Sequence, residues 1–444
     1  MRKIKLFTHQ IDALEQTKDK DHVAYYLDMG LGKTFVGSEK MKQLGARVNL
    51  VVCQKSKIND WINHFSENYG VAVFNLTNKE EFKTFDLWAN AKPPSKAIKV
   101  VVVGIINYEL AFRRPKLKEL ENFTLMLDES SMIQNENAKR SKFILKLKPK
   151  NVILLSGTPT GGKYEKLWSQ LHLLGWPISK ALYWNQYIDT EILDNEGYPI
   201  KIVKGYKNVD RLKKKLRQHG AIFMKSEEVF DMPKQIDQTI KVDTTKEYRK
   251  FRKNSIVMYH PLKGELMGAT DPDYDGAIEL VGDTTLTKML YGRQLCGQYN
   301  KVKLEAFRDL LESTNDRLVV FYNFWDELKS LEDIAISLNR PISVVNGKSK
   351  ELDGYENYND SITFIQYQAG AMGLNLQKAN KIVYFTPPLS SELFEQSKKR
   401  IHRIGQEKSC FYYYLTCRNS IEEKIYATLA MRKDYTEELF NESS

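Results

Sequence analysis

Short apolar runs alternate with longer amphipathic segments over the first 160 or so residues. Runs at 23–27, 48–53, 71–74, 99–103, 124–127 and 151–155 have strand length, and helical patterns such as 33–43 and 57–65 lie between them. Strands alternating with helices predict a mostly parallel sheet covered by helices. The most apolar run, 100–106, fits a buried strand. The same rhythm returns at 318–322, 342–345, 362–366, 381–385 and 411–415, which predicts a second sheet of the same kind. The last helix is expected to begin at Ser420, because Glu423 follows three residues on as in a capping box.

Between about 180 and 300 the rhythm loosens. This stretch holds Asp194-Asn195-Glu196-Gly197, the basic run Lys213-Lys214-Lys215, and an Asp- and Gly-rich segment at 268–276. We read it as helical insertions and the hinge between two α/β lobes. The expected boundaries are 1–235 for the first lobe, with an insertion near 165–225. The second lobe is expected at 236–444, with an insertion near 245–300 and a closing C-terminal helix.

Length and composition agree with this division. A chain of 444 residues suits two or three domains, and 42% hydrophobic with 28% charged residues excludes wholesale disorder. The net charge of +11 favours a polyanionic partner, nucleic acid before membrane. Cys53, Cys296, Cys410 and Cys417 form no C-x-x-C pair, which argues for reduced thiols rather than a disulfide framework or zinc site. No run reaches the length of a membrane span, and the basic N-terminus leads into Thr8-His9-Gln10 rather than an apolar signal segment.

Candidate chemistry sits at the predicted strand ends. Asp28-Met29-Gly30-Leu31-Gly32-Lys33-Thr34 follows one strand and opens a helix. Gly30 and Gly32 would let backbone N–H groups curl around phosphates at the helix N-terminus, Lys33 would reach the β- and γ-phosphates, and Thr34 would ligate magnesium. Leu27 stands where the strict phosphate-loop pattern has its first glycine. The strand at 124–127 delivers Asp128 and Glu129, one carboxylate for the magnesium shell and one to act as general base on water. Gln10 carries an amide suited to an adenine edge, and Ser156-Gly157-Thr158-Pro159 ends the next strand, suited to coupling the nucleotide to a second site. Far along the chain, Arg400 and Arg403 stand three apart on a predicted helix, a geometry suited to arginine fingers.

Taken together, these segments resemble the SWI/SNF family of superfamily-two helicase-like ATPases. Longer matches carry the resemblance: His9-Gln10, Asp28 to Thr34, Asp128-Glu129-Ser130 through Ile133-Gln134-Asn135 to Ala138-Lys139-Arg140, and Leu155 to Pro159. Leu167-Trp168-Ser169-Gln170-Leu171, Gly373-Leu374-Asn375-Leu376, Arg400 to Gln406 and Glu422-Glu423 complete them. The resemblance implies two RecA-like lobes, ATP and Mg2+ bound between them, and stepping along duplex DNA. It places Gly373 at the nucleotide and gives Gln396 a coupling role with Ser156 and Thr158. It carries DNA contacts onto Ser56, Lys57, Asn107, Tyr108, Asn323 and Asn375, small polar groups suited to phosphates.

Three departures stand out: Ser131 where the acid-pair motif usually ends in His, Gln54 in place of Pro, and Pro387-Pro388 in place of an Asp and Trp-Asn-Pro. Together with the lack of flanking partner-reading domains, they point to a compact bacterial or phage member, cytoplasmic in the cell or infected host, acting in DNA replication or recombination. The expected partner is double-stranded or branched DNA. The protein is expected to be a monomer, with no membrane and no protein partner identified. A strand-separating or fork-remodelling helicase is the alternative, since the same lobes serve both. An inactive nucleic-acid-binding scaffold is opposed by intact Lys33, Asp128, Glu129, Arg400 and Arg403. A small-molecule kinase is opposed by the lack of any acceptor site.

Overall fold

Two seven-stranded sheets organise the chain, one in each of two units: residues 1–230 with 434–444, and residues 231–433. The computed structural model describes residues 4–91, 100–195, 198–260, 265–267, 278–370 and 374–440.

The first unit contains β1 (His22–Leu27), β2 (Val48–Cys53), β3 (Ala72–Asn75), β4 (Val102–Asn107), β5 (Thr124–Asp128), β6 (Asn151–Ser156), β7 (Ile188–Asn195), β8 (Tyr198–Tyr206) and β9 (Ala221–Met224). Its main sheet has the order β3-β4-β2-β5-β6-β1-β9 and is parallel throughout. Alternate residues of the central strands feed two separate cores. Tyr26, Leu50, Leu125 and Leu154 pack on one face, and Tyr25, Val51, Met126 and Ile153 on the other. Burial on both faces is why these strands read as continuous apolar runs.

The fourth strand lies later than its sequence pattern suggested, because Gly104 interrupts the apolar run without ending the strand. A Cβ at Gly104 would stand 2.7 Å from Leu76 Cδ1 and 2.8 Å from Phe85 Cε2, so close packing against the covering helix demands glycine there. Residues 165–225 are not purely helical. Helices Trp168–Leu173, Lys180–Tyr187 and Val209–Gln218 are joined by the antiparallel pair β7–β8. That pair is polar and alternating, with Ile192, Ile202 and Val203 exposed, so it lacks the apolar run of a buried strand.

The second unit contains β10 (Gln235–Val242), β11 (Ile256–His260), β12 (Glu265–Met267), β13 (Ile278–Val281), β14 (Leu318–Tyr322), β15 (Ile342–Val345), β16 (Lys350–Glu351), β17 (Ile362–Gln366), β18 (Lys381–Tyr384) and β19 (Cys410–Cys417). Its order is β10-β19-β18-β14-β17-β15-β16, parallel except for the short β15–β16 pair. The edge strand β10 exposes most of its residues and gives no apolar run in the sequence. Strands β11, β12 and β13 form a separate small sheet within the stretch expected to be helical. Both units therefore carry a mostly parallel, helix-covered sheet.

The last helix spans Ile421–Phe440. Ser420 Oγ accepts from Glu422 N at 3.1 Å and the Glu423 carboxylate accepts from Asn419 N at 3.0 Å, so the same two side chains cap the helix but each bonds one residue earlier than in the expected capping box. Lys303 and Glu422, both fully buried, pair at 2.6 Å and fix its first turn to helix Lys301–Glu312. Residues from 434 onward group with the first unit, where Tyr435 packs on Tyr164 and Tyr206. Among the described residues no helix is long and apolar enough to cross a membrane.

Candidate nucleotide site and arginine segment

Three strand ends converge on one rim of the first sheet. β1 and β6 pair in register up to Tyr26 and Ser156, and β5 pairs with β6 up to Asp128 and Leu155. The segments that follow these strands therefore emerge side by side.

After β1, the chain turns through Gly30 at φ 92° and Gly32 at φ 75°, left-handed conformations that favour glycine. Gly32 is the N-cap of helix Lys33–Leu44. A Cβ on Gly32 would stand 2.1 Å from Gln10 Nε2, because the Gln10 amide lies against the loop. Gln10 donates to Leu31 O at 3.1 Å and accepts from Phe7 N at 3.0 Å. It is 4% exposed, and here it braces the loop. Lys33 Nζ donates to Leu27 O at 2.8 Å and Asp28 O at 3.1 Å, both neutral acceptors that a phosphate would outcompete. Thr34 is half-buried one residue on. Two positive-φ glycines, a lysine resting on carbonyls and a helix N-terminus fit a nucleotide's phosphates.

After β5, Asp128 accepts from Trp61 Nε1 at 2.8 Å. Burial raises its pKa above the ordinary carboxylate value, opposed by the Trp61 hydrogen bond and by the charges of Lys33 and Lys57. A carboxylate held against such a desolvation cost suits a cation, and it and the Thr34 hydroxyl are oxygen donors of the kind magnesium takes. Glu129 follows at φ 53°, left-handed for a residue with a Cβ. Tyr108 OH donates to Asp128 O at 2.9 Å, with Glu129 O at 3.3 Å. Ser156 Oγ lies 3.4 Å from Glu129 Oε2 and accepts from Thr158 N at 3.1 Å, so the Ser-Gly-Thr-Pro turn touches the acid pair directly. Thr158 Oγ1 is buried without a hydrogen-bond partner.

Trp61 and Gln170 carry no functional signature of their own in the sequence. Trp61 follows the helical spacing Ile58, Trp61, Phe65 and reads as core, yet its indole N–H finds the acid pair. Gln170 is fully buried beside Leu167 and Leu171, and a polar residue in that apolar setting was the available signal.

In the second unit the arginines do not lie on a helix. Helix Ser391–Lys398 stops before them, and residues 399–405 form turns closed by Gly405 at φ 92°. Leu376 N bonds Arg400 O at 3.1 Å, a tertiary contact that replaces a helical one. Arg400 and Arg403 consequently do not share a face. Arg400 is 2% exposed, with NH1 3.4 Å from Leu374 O, whereas Arg403 is half-buried, and burial lowers its pKa from the ordinary arginine value. His402 Nε2 contacts Pro233 O at 2.9 Å, and Gln406 Nε2 reaches Gln377 O, Ala379 O and Ile401 O. Gln396 is 9% exposed and contacts Glu392. Gly373 lies outside the described residues.

The residues expected at DNA divide in two. Ser56 and Asn375 are exposed, and Lys57 is half-buried in an ion pair with Asp60 at 2.8 Å. Asn107 is 6% exposed and bonded to Glu109, and Tyr108, which follows β4, is fully buried with its hydroxyl donating to Asp128 O, so neither side chain is presented outward. Asn323 Nδ2 is turned inward onto Thr386 and Pro387 carbonyls.

Residues 26–300 match the SNF2-related domain model and residues 302–405 the helicase conserved C-terminal domain model. The chain is similar to the Saccharomyces cerevisiae ISWI chromatin-remodeling complex ATPase ISW1, with 25% identity over 92% of this chain and 38% of that protein. It is also similar to the DNA repair and recombination protein RAD26 of the same organism, with 24% identity over 90% of this chain and 43% of that one. It thus spans about two-fifths of the length of these curated relatives. Among solved structures, the Sulfolobus solfataricus SWI2/SNF2 ATPase core in complex with dsDNA aligns at 20% identity and a TM-score of 0.45, over 98% of this chain and 93% of that one.

Proposed function

Because the chain belongs to the SNF2-related domain family, we propose that it is a DNA-dependent ATPase that couples ATP hydrolysis to translocation along double-stranded DNA. The observation that carries this reading is the convergence on one sheet rim of a loop with two positive-φ glycines that leads into Lys33, two carboxylates and a Ser-Gly-Thr-Pro turn.

In this reading the N–H groups around Gly30 and Gly32 hold the phosphates, and Lys33 exchanges its two carbonyls for phosphate oxygens. Thr34 and Asp128 would hold magnesium, which would offset phosphate charge when bound. Glu129 accepts a proton from the attacking water. Arg403, the more accessible of the two arginines, is assigned to hydrolysis, while Arg400 holds the turn that presents it. In the first unit Ser56 and Lys57 are the groups offered to DNA phosphates; in the second they are Asn375 and helix Lys246–Asn254, where Lys246, Arg249, Lys250, Arg252 and Lys253 are exposed.

Steady-state ATPase rates without DNA and with single-stranded, blunt duplex and forked DNA test this reading. Duplex should stimulate turnover, and Lys33→Ala or Glu129→Gln should lower it about a thousandfold while DNA still binds. Preference for forked DNA would favour strand separation instead. No hydrolysis with any DNA would overturn the reading.

A further inference from the structure

Gln170 ties together the three segments that form the candidate nucleotide site. Its Oε1 accepts from Tyr26 OH at 3.0 Å and Ser130 Oγ at 2.8 Å, and its Nε2 donates to Pro159 O at 2.8 Å. Tyr26 is two residues before the lysine loop begins, Ser130 directly follows Glu129, and Pro159 closes the Ser-Gly-Thr-Pro turn. All three partners belong to the first unit, and Gln170 itself is fully buried.

Packing does not explain an amide here. Its neighbours Leu167 and Leu171 are buried and apolar, and an aliphatic side chain of similar volume would fill the same space, so the amide is explained by its hydrogen bonds and not by its volume. The amide is retained with partners from three separate strand ends. One of them adjoins Glu129, whose left-handed backbone persists only under external constraint. Tyr108 restrains that residue through the carbonyls of Asp128 and Glu129, and Gln170 restrains it through the next side chain along.

We infer that Gln170 is a positioning residue for ATP hydrolysis. It holds Glu129 in the orientation that serves the attacking water and links that orientation to the Ser-Gly-Thr-Pro turn. This rests on the ATPase reading above. Because Gln170 acts on the general base rather than on the phosphates, it governs kcat and leaves the KM for ATP alone.

The test compares Gln170→Met, which keeps volume and removes every hydrogen bond, with the triple variant Tyr26→Phe/Ser130→Ala/Gln170→Met, which also removes the hydroxyls that the single variant orphans. Duplex-stimulated kcat, KM and melting temperature are measured for each. The single variant should lose about fivefold or more in kcat, with KM within about twofold of wild type. The triple variant should recover melting temperature but not kcat, and it serves alone if the single variant does not fold. A smaller loss of kcat, a parallel rise in KM, or recovery of kcat along with melting temperature would show that Gln170 only packs. Wild-type protein that hydrolyses no ATP would overturn the ATPase reading itself, a result distinct from an active wild type with an unaffected variant.

Discussion

The rim of the first sheet and the arginine turn of the second unit are built on different principles. At the rim, backbone geometry does the placing: three strands end in register and two positive-φ glycines shape the loop between β1 and its helix. In the arginine turn, side chains do the placing. Gln406 reaches three carbonyls, His402 contacts Pro233 O, and buried Arg400 lies against Leu374 O. Backbone-organised sites leave residues at fixed spacing in the sequence. Side-chain-organised sites depend on partners far along the chain, so their geometry is invisible in a local window.

The sharpest way to break this contrast is to separate the two arginines. Arg403→Ala should reduce DNA-stimulated turnover about a thousandfold with little change in melting temperature. Arg400→Ala should instead cost stability, about 2 kcal/mol, because it leaves buried groups of the turn unpaired. Urea unfolding beside ATPase assays distinguishes these outcomes, and equal effects on both readouts would erase the distinction.

The second unit's reliance on buried charge can be probed at Lys303. Lys303→Met leaves Glu422 buried without its cation and should destabilise the protein by about 3–5 kcal/mol. Lys303→Met/Glu422→Leu should restore most of that loss, measured by chemical denaturation. Failure of the double variant to recover would show that the pair's geometry, not charge balance, anchors the last helix.

A smaller effect sharpens the picture of the first unit. Burial lowers the pKa of His64 from 6.5 to about 4. The folded state therefore resists protonation more than the unfolded chain. The neutral form costs nothing above pH 6.5, and stability falls as pH drops from 6.5 towards about 4. His64→Asn should flatten that part of the melting-temperature profile. An unchanged slope would assign it to other groups.

Much of the fold was legible in the sequence because its central strands are buried on both faces. The strands at 48–53, 318–322, 342–345 and 362–366 coincide with the observed ones. The misses have specific causes. Gly104 interrupts an apolar run for reasons of packing, and β10 is a polar edge. The arginine helix was expected from i, i+3 spacing, but Leu376 N captures Arg400 O and the chain turns instead. Within the site, the lysine loop and acid pair were legible as motifs. The inward roles of Tyr108, Trp61 and Gln170 were not, since each is defined by a partner 20 or more residues away.

The left-handed backbone at Glu129 has a consequence for descent. A glycine or asparagine would occupy that conformation at lower cost, by about 1 kcal/mol. Folding selection alone would therefore drift towards those residues, and only demand for the carboxylate holds glutamate in place. The position acts as a ratchet: a lineage that ceased to need the acid would gain stability by losing it, and would then have to pass back through a less stable protein to recover it.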